Sequence, residues 1–143
     1  MPKTDVLLLD THVLIWLMSG EDSPLAKTRA LAEILRCGKS GGIRVSAISV
    51  WEVAMLEAKG RVGFSVPVND WIEQALGAPG VGLVPLIPAI AVDATRLPGV
   101  FHADPADRIL VATARHLQCP VVTADREILG YAEKGFVRAL AIK

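Results

Sequence analysis

Two rhythms of apolar and polar positions run through this chain. Short, mainly apolar runs of the kind buried on both faces of a sheet occur at residues 6–9, 43–46, 81–86, 121–123 and 136–142. Between them lie longer segments with the three-to-four-residue spacing of helices, at 11–19, 49–59, 69–76, 89–97, 105–117 and 125–131. A further helix is expected to open at Ser23 and Pro24, as N-cap and first helical residue, and to run to about Cys37. Gly38, Gly41 and Gly42 end that helix and Gly60 closes the next. Residues 61–67 and 98–104 read as loops.

Strands that alternate with helices imply an α/β fold, with a largely parallel sheet covered by helices on both faces. The 143 residues suit one domain, taken as 1–143. Sheets of this kind place their sites outside the carboxyl ends of the strands. Asp10 directly follows the first strand, and Asp125 lies just past the strand at 121–123.

Composition narrows the picture. Hydrophobic residues make up 52% of the chain and the mean hydropathy is +0.43, enough apolar material to offset the ordering entropy and to argue against disorder. Lys plus Arg and Asp plus Glu both number 15, so bulk charge does not advertise nucleic-acid binding, and any such contact must come from a local basic patch. Cys37 and Cys119 are far apart, without a CxxC pair or clustered histidines. They read as idle thiols in a reducing compartment rather than as a zinc site. The apolar run near the N-terminus is broken by Asp10 and His12, and no small-residue cleavage site follows. The expectation is a cytoplasmic protein with no signal peptide and no membrane span.

The candidate chemistry lies in the acids, each of which has a capping alternative. Asp10 ends an apolar strand, where it reads either as a metal ligand or as the N-cap of the next helix. Glu52 reads either as the partner of Ser49 in a capping box or as an acid one turn into a helix, pointing at the site. In FHADPADR, Asp104 is the better N-cap. Asp107 falls at the third helical position, where the helix dipole is expected to keep it ionised. Asp125 is again a ligand or an N-cap. Taken together the acids suit hard-cation chemistry. Mg2+ and Mn2+ favour carboxylate oxygens, two such ions can clamp a phosphodiester, and clustered carboxylates without a cation raise one another's pKa.

Four segments in order, LLLDTHVLIWL, SAISVWEVAMLEAKGRV, FHADPADRILVATA and VVTADREI, resemble the successive motifs of PIN-domain proteins, in particular the VapC-type toxins of bacterial toxin–antitoxin pairs. The resemblance spans about residues 6–129. It implies a three-layer α/β/α fold with a mainly parallel central sheet, and a Mg2+- or Mn2+-dependent endoribonuclease acting on structured RNA such as tRNA, with 3′-hydroxyl and 5′-phosphate products. It also implies a homodimer and inhibition by a small antitoxin protein. By motif, the catalytic acids are Asp10, Glu52, Asp107 and Asp125. Asp10 and Asp107 bind metal most directly, Glu52 and Asp125 act through water or hold a second ion, and Asp104 is an additional candidate ligand.

Other residues read less sharply. His12 and His102 flank the site in sequence and either touch RNA or metal or form ordinary hydrogen bonds. Thr11 and Ser46 are candidates for orienting the carboxylates. Arg44, Lys59, Arg61, Arg108 and Arg126 are the basic residues expected near the mouth. Trp16, Trp51 and Trp71 read as core or dimer interface rather than as base-stacking platforms. Gly38-Lys39-Ser40 mimics the end of a phosphate-binding loop, but that motif's first glycine would fall on Glu33. Two alternatives stand beside the nuclease toxin: a catalytically inactive module binding RNA or protein, and a metal-dependent DNA nuclease.

Overall fold

The computed structural model describes residues 5–142. Five strands, β1 (Leu7–Leu9), β2 (Ile43–Ser46), β3 (Val81–Val84), β4 (Val121–Thr123) and β5 (Ala139–Ala141), form one sheet in the order β3-β2-β1-β4-β5. Every pairing is parallel. The helices are α1 (Thr11–Ser19), α2 (Arg29–Lys39), α3 (Ala47–Ala58), α4 (Val68–Leu76), α5 (Pro88–Ala94), α6 (Pro105–Leu117) and α7 (Arg126–Glu133), with a 3-10 turn at Gly20–Asp22.

The three layers follow from side-chain alternation along the strands. Leu7 and Leu9 point into one core, with Val45, Val122, Val13 and Val53. Leu8 points into the other, with Val121, Ile90, Leu110 and Ile128. Helices α1 to α4 contribute to the first core and α5 to α7 to the second. A one-residue slip of β1 would exchange these faces. Its register is held at the entry by the Leu7 N–H, which donates to the Gly42 carbonyl at 2.8 Å. Gly42 allows that approach, because a Cβ there would collide with the Asp5 carbonyl.

The elements expected from the sequence are present, with shifted ends. The helix expected to open at Ser23 and Pro24 does not start there. Lys27 takes a left-handed φ of 61°, which no α-helix passes through, and Thr28 in extended backbone becomes the cap, accepting the Leu31 N–H at 3.2 Å. The turn before it drops Leu25 into the core. Strand β3 stops at Val84 instead of continuing to 86, as Pro85 has no N–H for the ladder. Strand β5 is only three residues long, because Phe136 is drawn onto the ring of Tyr131 rather than into the sheet. Among the described residues no helix is long and apolar enough to cross a membrane. Both cysteines are buried and neither forms a disulfide among the described residues, and burial pushes both thiols up in pKa.

The functionally important feature is the strand order. It runs one way from β1 through β2 to β3 and the other way from β1 through β4 to β5. The connections leaving β1 and β4 therefore diverge, and a crevice opens at their carboxyl ends.

Candidate active site

Asp10 occupies the junction of β1 and α1. Its backbone is extended (φ −64°, ψ 156°) and its Oδ1 caps α1, accepting the Thr11 N–H at 2.7 Å. Oδ2 accepts the hydroxyl of Thr123, the last residue of β4, at 2.6 Å. The carboxylate is therefore a cap and a site residue at once. It is 8% exposed, and burial raises its pKa against the lowering effect of the Thr123 and Thr11 bonds and of His12.

Glu52 is not part of a capping box. Helix α3 starts three residues earlier than the Ser49 reading requires, and its cap is Ser46, whose hydroxyl accepts the Ile48 N–H at 3.1 Å. The reason is that β2 passes into α3 with no intervening loop. Ser46 is thus committed to the helix start rather than to a carboxylate. Glu52 lies in the second turn, where its Oε1 accepts the Thr11 hydroxyl at 2.6 Å. That hydroxyl is also 2.9 Å from buried Ser49 Oγ. Thr11 therefore orients Glu52 by its side chain and Asp10 by its backbone. Burial, first of all, raises the pKa of Glu52.

Asp104 caps α6 through Oδ1, accepting from the Ala106 and Asp107 N–H groups at 2.9 and 3.2 Å. Asp125 caps α7 through Oδ1, accepting from Glu127 and Ile128 at 2.8 and 3.2 Å. In both residues capping engages Oδ1 alone. The Asp125 N–H donates to Thr123 Oγ1 at 2.9 Å, which ties this acid to Asp10 through one shared hydroxyl.

All five acids, Asp10, Glu52, Asp104, Asp107 and Asp125, line one cleft of about 320 Å3 together with His12 and Trp16. Asp107 feels the crowding most. Its pKa is pushed up to about 7, first by burial and then by the charges of Asp125, Asp104, Asp10 and Glu52. This corrects the expectation that the helix dipole would keep it ionised, since desolvation and four like charges outweigh a dipole contribution of about 1 kcal/mol.

The donor set is all carboxylate oxygen, the chemistry preferred by Mg2+ and Mn2+, and a dication would relieve the repulsion that raises Asp107. Among the described residues no three His, Cys, Asp or Glu side chains form a ready-made coordination sphere.

The basic residues are placed differently from expectation. Arg44 Nη1 donates to the Gly41 and Ile43 carbonyls, at the amino end of β2 and away from the cleft. Arg108 is spent on three main-chain carbonyls, those of Ala94, Phe101 and His102. Lys59 and Arg61 lie past the C-terminal end of α3, remote from the strand ends. Arg126 is exposed at the first position of α7, next in sequence to Asp125. Trp71 is core, stacked on Phe64. Trp51 is 58% exposed and so is not core.

Thr123 is the residue that sequence reasoning missed. Its signal is its position, the last inward residue of a strand two places before a candidate ligand.

Comparison with known proteins places this cleft in context. Residues 7–134 match the PIN domain. Over 122 residues the chain is 35% identical to ribonuclease VapC22 of Mycobacterium tuberculosis, covering 85% of this chain and 88% of that protein. The fold is similar to the crystal structure of VapBC2 from Rickettsia felis bound to a promoter DNA fragment, with a TM-score of 0.68 and 10% identity over 96% of this chain and 99% of that one. It is also similar to DNA-bound VapBC from Salmonella typhimurium, with a TM-score of 0.64 and 15% identity over 96% and 98% of the two chains.

Proposed function

The chain belongs to the PIN-domain family, and from that premise we propose that it is the ribonuclease toxin of a toxin–antitoxin pair, hydrolysing RNA phosphodiesters with Mg2+ or Mn2+ held by its own carboxylates. The observation that carries this reading is convergence. Acids from the ends of β1 and β4, from the second turn of α3 and from the start of α6 line one cleft at the reversal of strand order.

In this reading Asp10 and Asp107 hold the cation most directly, Glu52 and Asp125 act through water or hold a second ion, and Asp104 borders the site. When bound, the cation supplies charge neutralisation at the phosphodiester and a lowered pKa for the attacking water. The protein supplies orientation. Thr123 and the Thr11 amide fix the two oxygens of Asp10, and the Thr11 hydroxyl fixes Glu52. Arg126, exposed next to Asp125, would be the nearest cation in sequence to meet an RNA phosphate.

The antitoxin and the homodimer belong to the same proposal. An apolar groove of about 580 Å3 between α1 and α2 is lined by Trp16, Leu17, Leu25, Leu31 and Leu35. Trp16 also lines the acid cleft. The groove and the acid cleft thus share one wall, and the groove suits the apolar face of an amphipathic antitoxin segment whose basic side chain reaches past Trp16 to the acids. RNA as substrate and a cytoplasmic setting complete the reading.

The experiment is direct. Total RNA is incubated with the metal-saturated protein and the new 5′ ends are sequenced. Defined cleavage sites are expected from the native chain, and none from Asp10→Asn or Asp107→Asn of unchanged fold. Full cleavage by either purified variant sinks the mechanism. Cleavage of DNA with RNA left intact would favour a DNA nuclease.

A further inference from the structure

The loop at residues 98–104 carries a polar atom that the chemistry above leaves unused. His102 Nε2 is shut off from solvent and makes no hydrogen bond of acceptable geometry, yet it lies 3.0 Å from Oδ2 of Asp107. A buried polar atom of this kind calls for an explanation.

The ring is firmly placed. Its edge meets Phe101, with centroids 4.6 Å apart and planes at 79°, and Phe101 packs on Tyr131 at 4.8 Å. The main chain is pinned from α6. Arg108 donates from Nη1 to the Phe101 carbonyl at 3.1 Å and to the His102 carbonyl at 3.3 Å, and from Nε to the Ala94 carbonyl at 2.8 Å. A closed circuit results. Asp107 and Arg108 are neighbours on one helix, Arg108 holds the peptide of His102, and the ring of His102 leans back on Asp107. His102 does not line the acid cleft, so it reaches the cleft only through that carboxylate.

We infer that His102 is the positioning residue of Asp107: its Nε2–H turns onto Oδ2 and fixes the carboxylate so that Oδ1 presents to a divalent cation in the cleft. The inference rests on the metal-site reading of the preceding section. The 3.0 Å separation is within hydrogen-bond reach, and a rotation of the ring is what completes the bond. The role requires a proton on Nε2, since only then can this nitrogen donate. It is the outer-shell arrangement that orients ligands in metal sites generally, and removing such a partner typically weakens metal binding about 10–100-fold.

The test reads metal occupancy without RNA. Mn2+ is titrated into the full chain and the free ion is followed by its paramagnetic resonance signal, with thermal unfolding in EDTA as the check on fold. His102→Ala is expected to raise the Mn2+ dissociation constant about 10–100-fold. His102→Gln, which keeps a terminal N–H, is expected to recover most of the affinity, and His102→Leu, which fills the space without a donor, is not. If Ala at this position fails to fold, the Gln and Leu pair decides the matter. Wild-type affinity in His102→Leu overturns the role of His102 and leaves the metal site standing. Failure of the native chain to bind Mn2+ overturns the metal-site reading and this inference together.

Discussion

Thr123 and Asp10 are 113 residues apart in the chain, and the hydroxyl of one donates to Oδ2 of the other at 2.6 Å. The same hydroxyl receives the Asp125 N–H. One buried side chain at the end of β4 thus spaces two acids across the line where strand order reverses.

Thr123→Val should therefore damage the site more than its size suggests. The volume is kept, but Oδ2 of Asp10 loses its donor in a buried setting, at a cost of about 1–3 kcal/mol. RNA cleavage should fall about 10–100-fold, and Thr123→Ser should restore much of it. Urea denaturation and cleavage rates of the three proteins check this, and a fully active Val variant would contradict it.

Stability should depend on pH through Asp107. Its folded pKa is about 7 against an ordinary 3.8. Between these values the folded protein holds this proton more often than the unfolded chain does. Its contribution to the stability of the metal-free protein therefore falls as pH rises from about 4 to about 7, and is level above that. Burial moves Asp10 and Glu52 in the same direction. The Asp107 share should be on the order of 2 kcal/mol after allowance for partial exposure. Urea unfolding in EDTA at pH 5 and pH 8 measures it. Asp107→Asn should lose less stability than the native chain across that interval, and an identical or greater loss would contradict the assignment.

Metal should stabilise the fold by mass action. With Mn2+ at about 100 times its dissociation constant the gain is about 2.7 kcal/mol, or roughly 5–10 °C in Tm for a domain of this size. Asp10→Asn should show little of it. Thermal melts with Mn2+ and with EDTA compare the two, and an equal shift in both proteins would place the ion elsewhere.

Trp51 offers a test of assembly. It is exposed on α3 between Ile48 and Met55, which share its groove. If a second copy covers this strip, Trp51→Glu should yield a folded monomer, since surface changes outside an interface alter stability by only about 0.5 kcal/mol. Sedimentation of both proteins decides, and an unaltered dimer in the variant would move the interface off this face.

Much of the architecture was legible in the sequence, because burial on both faces leaves a simple mark. LLL before Asp10 and VVT before Asp125 are strands for the reason they look like strands. Helix α6 matches its expected bounds because Asp104 and Pro105 make an unambiguous start. Capping signals elsewhere were degenerate. Ser23-Pro24 and Ser49 with Glu52 are both plausible local starts, and both lose to tertiary demands, the first to the seating of Leu25 and the second to the direct passage of β2 into α3. The acids were legible as a set, and of their partners Thr11 was legible from its place beside Asp10. The contact of Thr123 with Asp10 and that of His102 with Asp107 were not, because each joins residues that only the folded chain brings together.

The double duty of Asp125 and Asp104 has an evolutionary consequence. Each starts a helix with one oxygen while lining the cleft, so removing the side chain harms folding and function together. Asn caps a helix about as well as Asp but carries no charge. If Asp125 serves the proposed cleavage, the change that silences it at least structural cost is therefore an Asp→Asn exchange, whereas Ala forfeits the cap as well, and the same exchange at Asp104 should matter less because Asp104 only borders the site. If the chain is toxic, clones that escape its toxicity while still accumulating full-length protein should be enriched in Asn at these positions. Sequencing survivors sorted for retained protein would show whether inactivation follows that route.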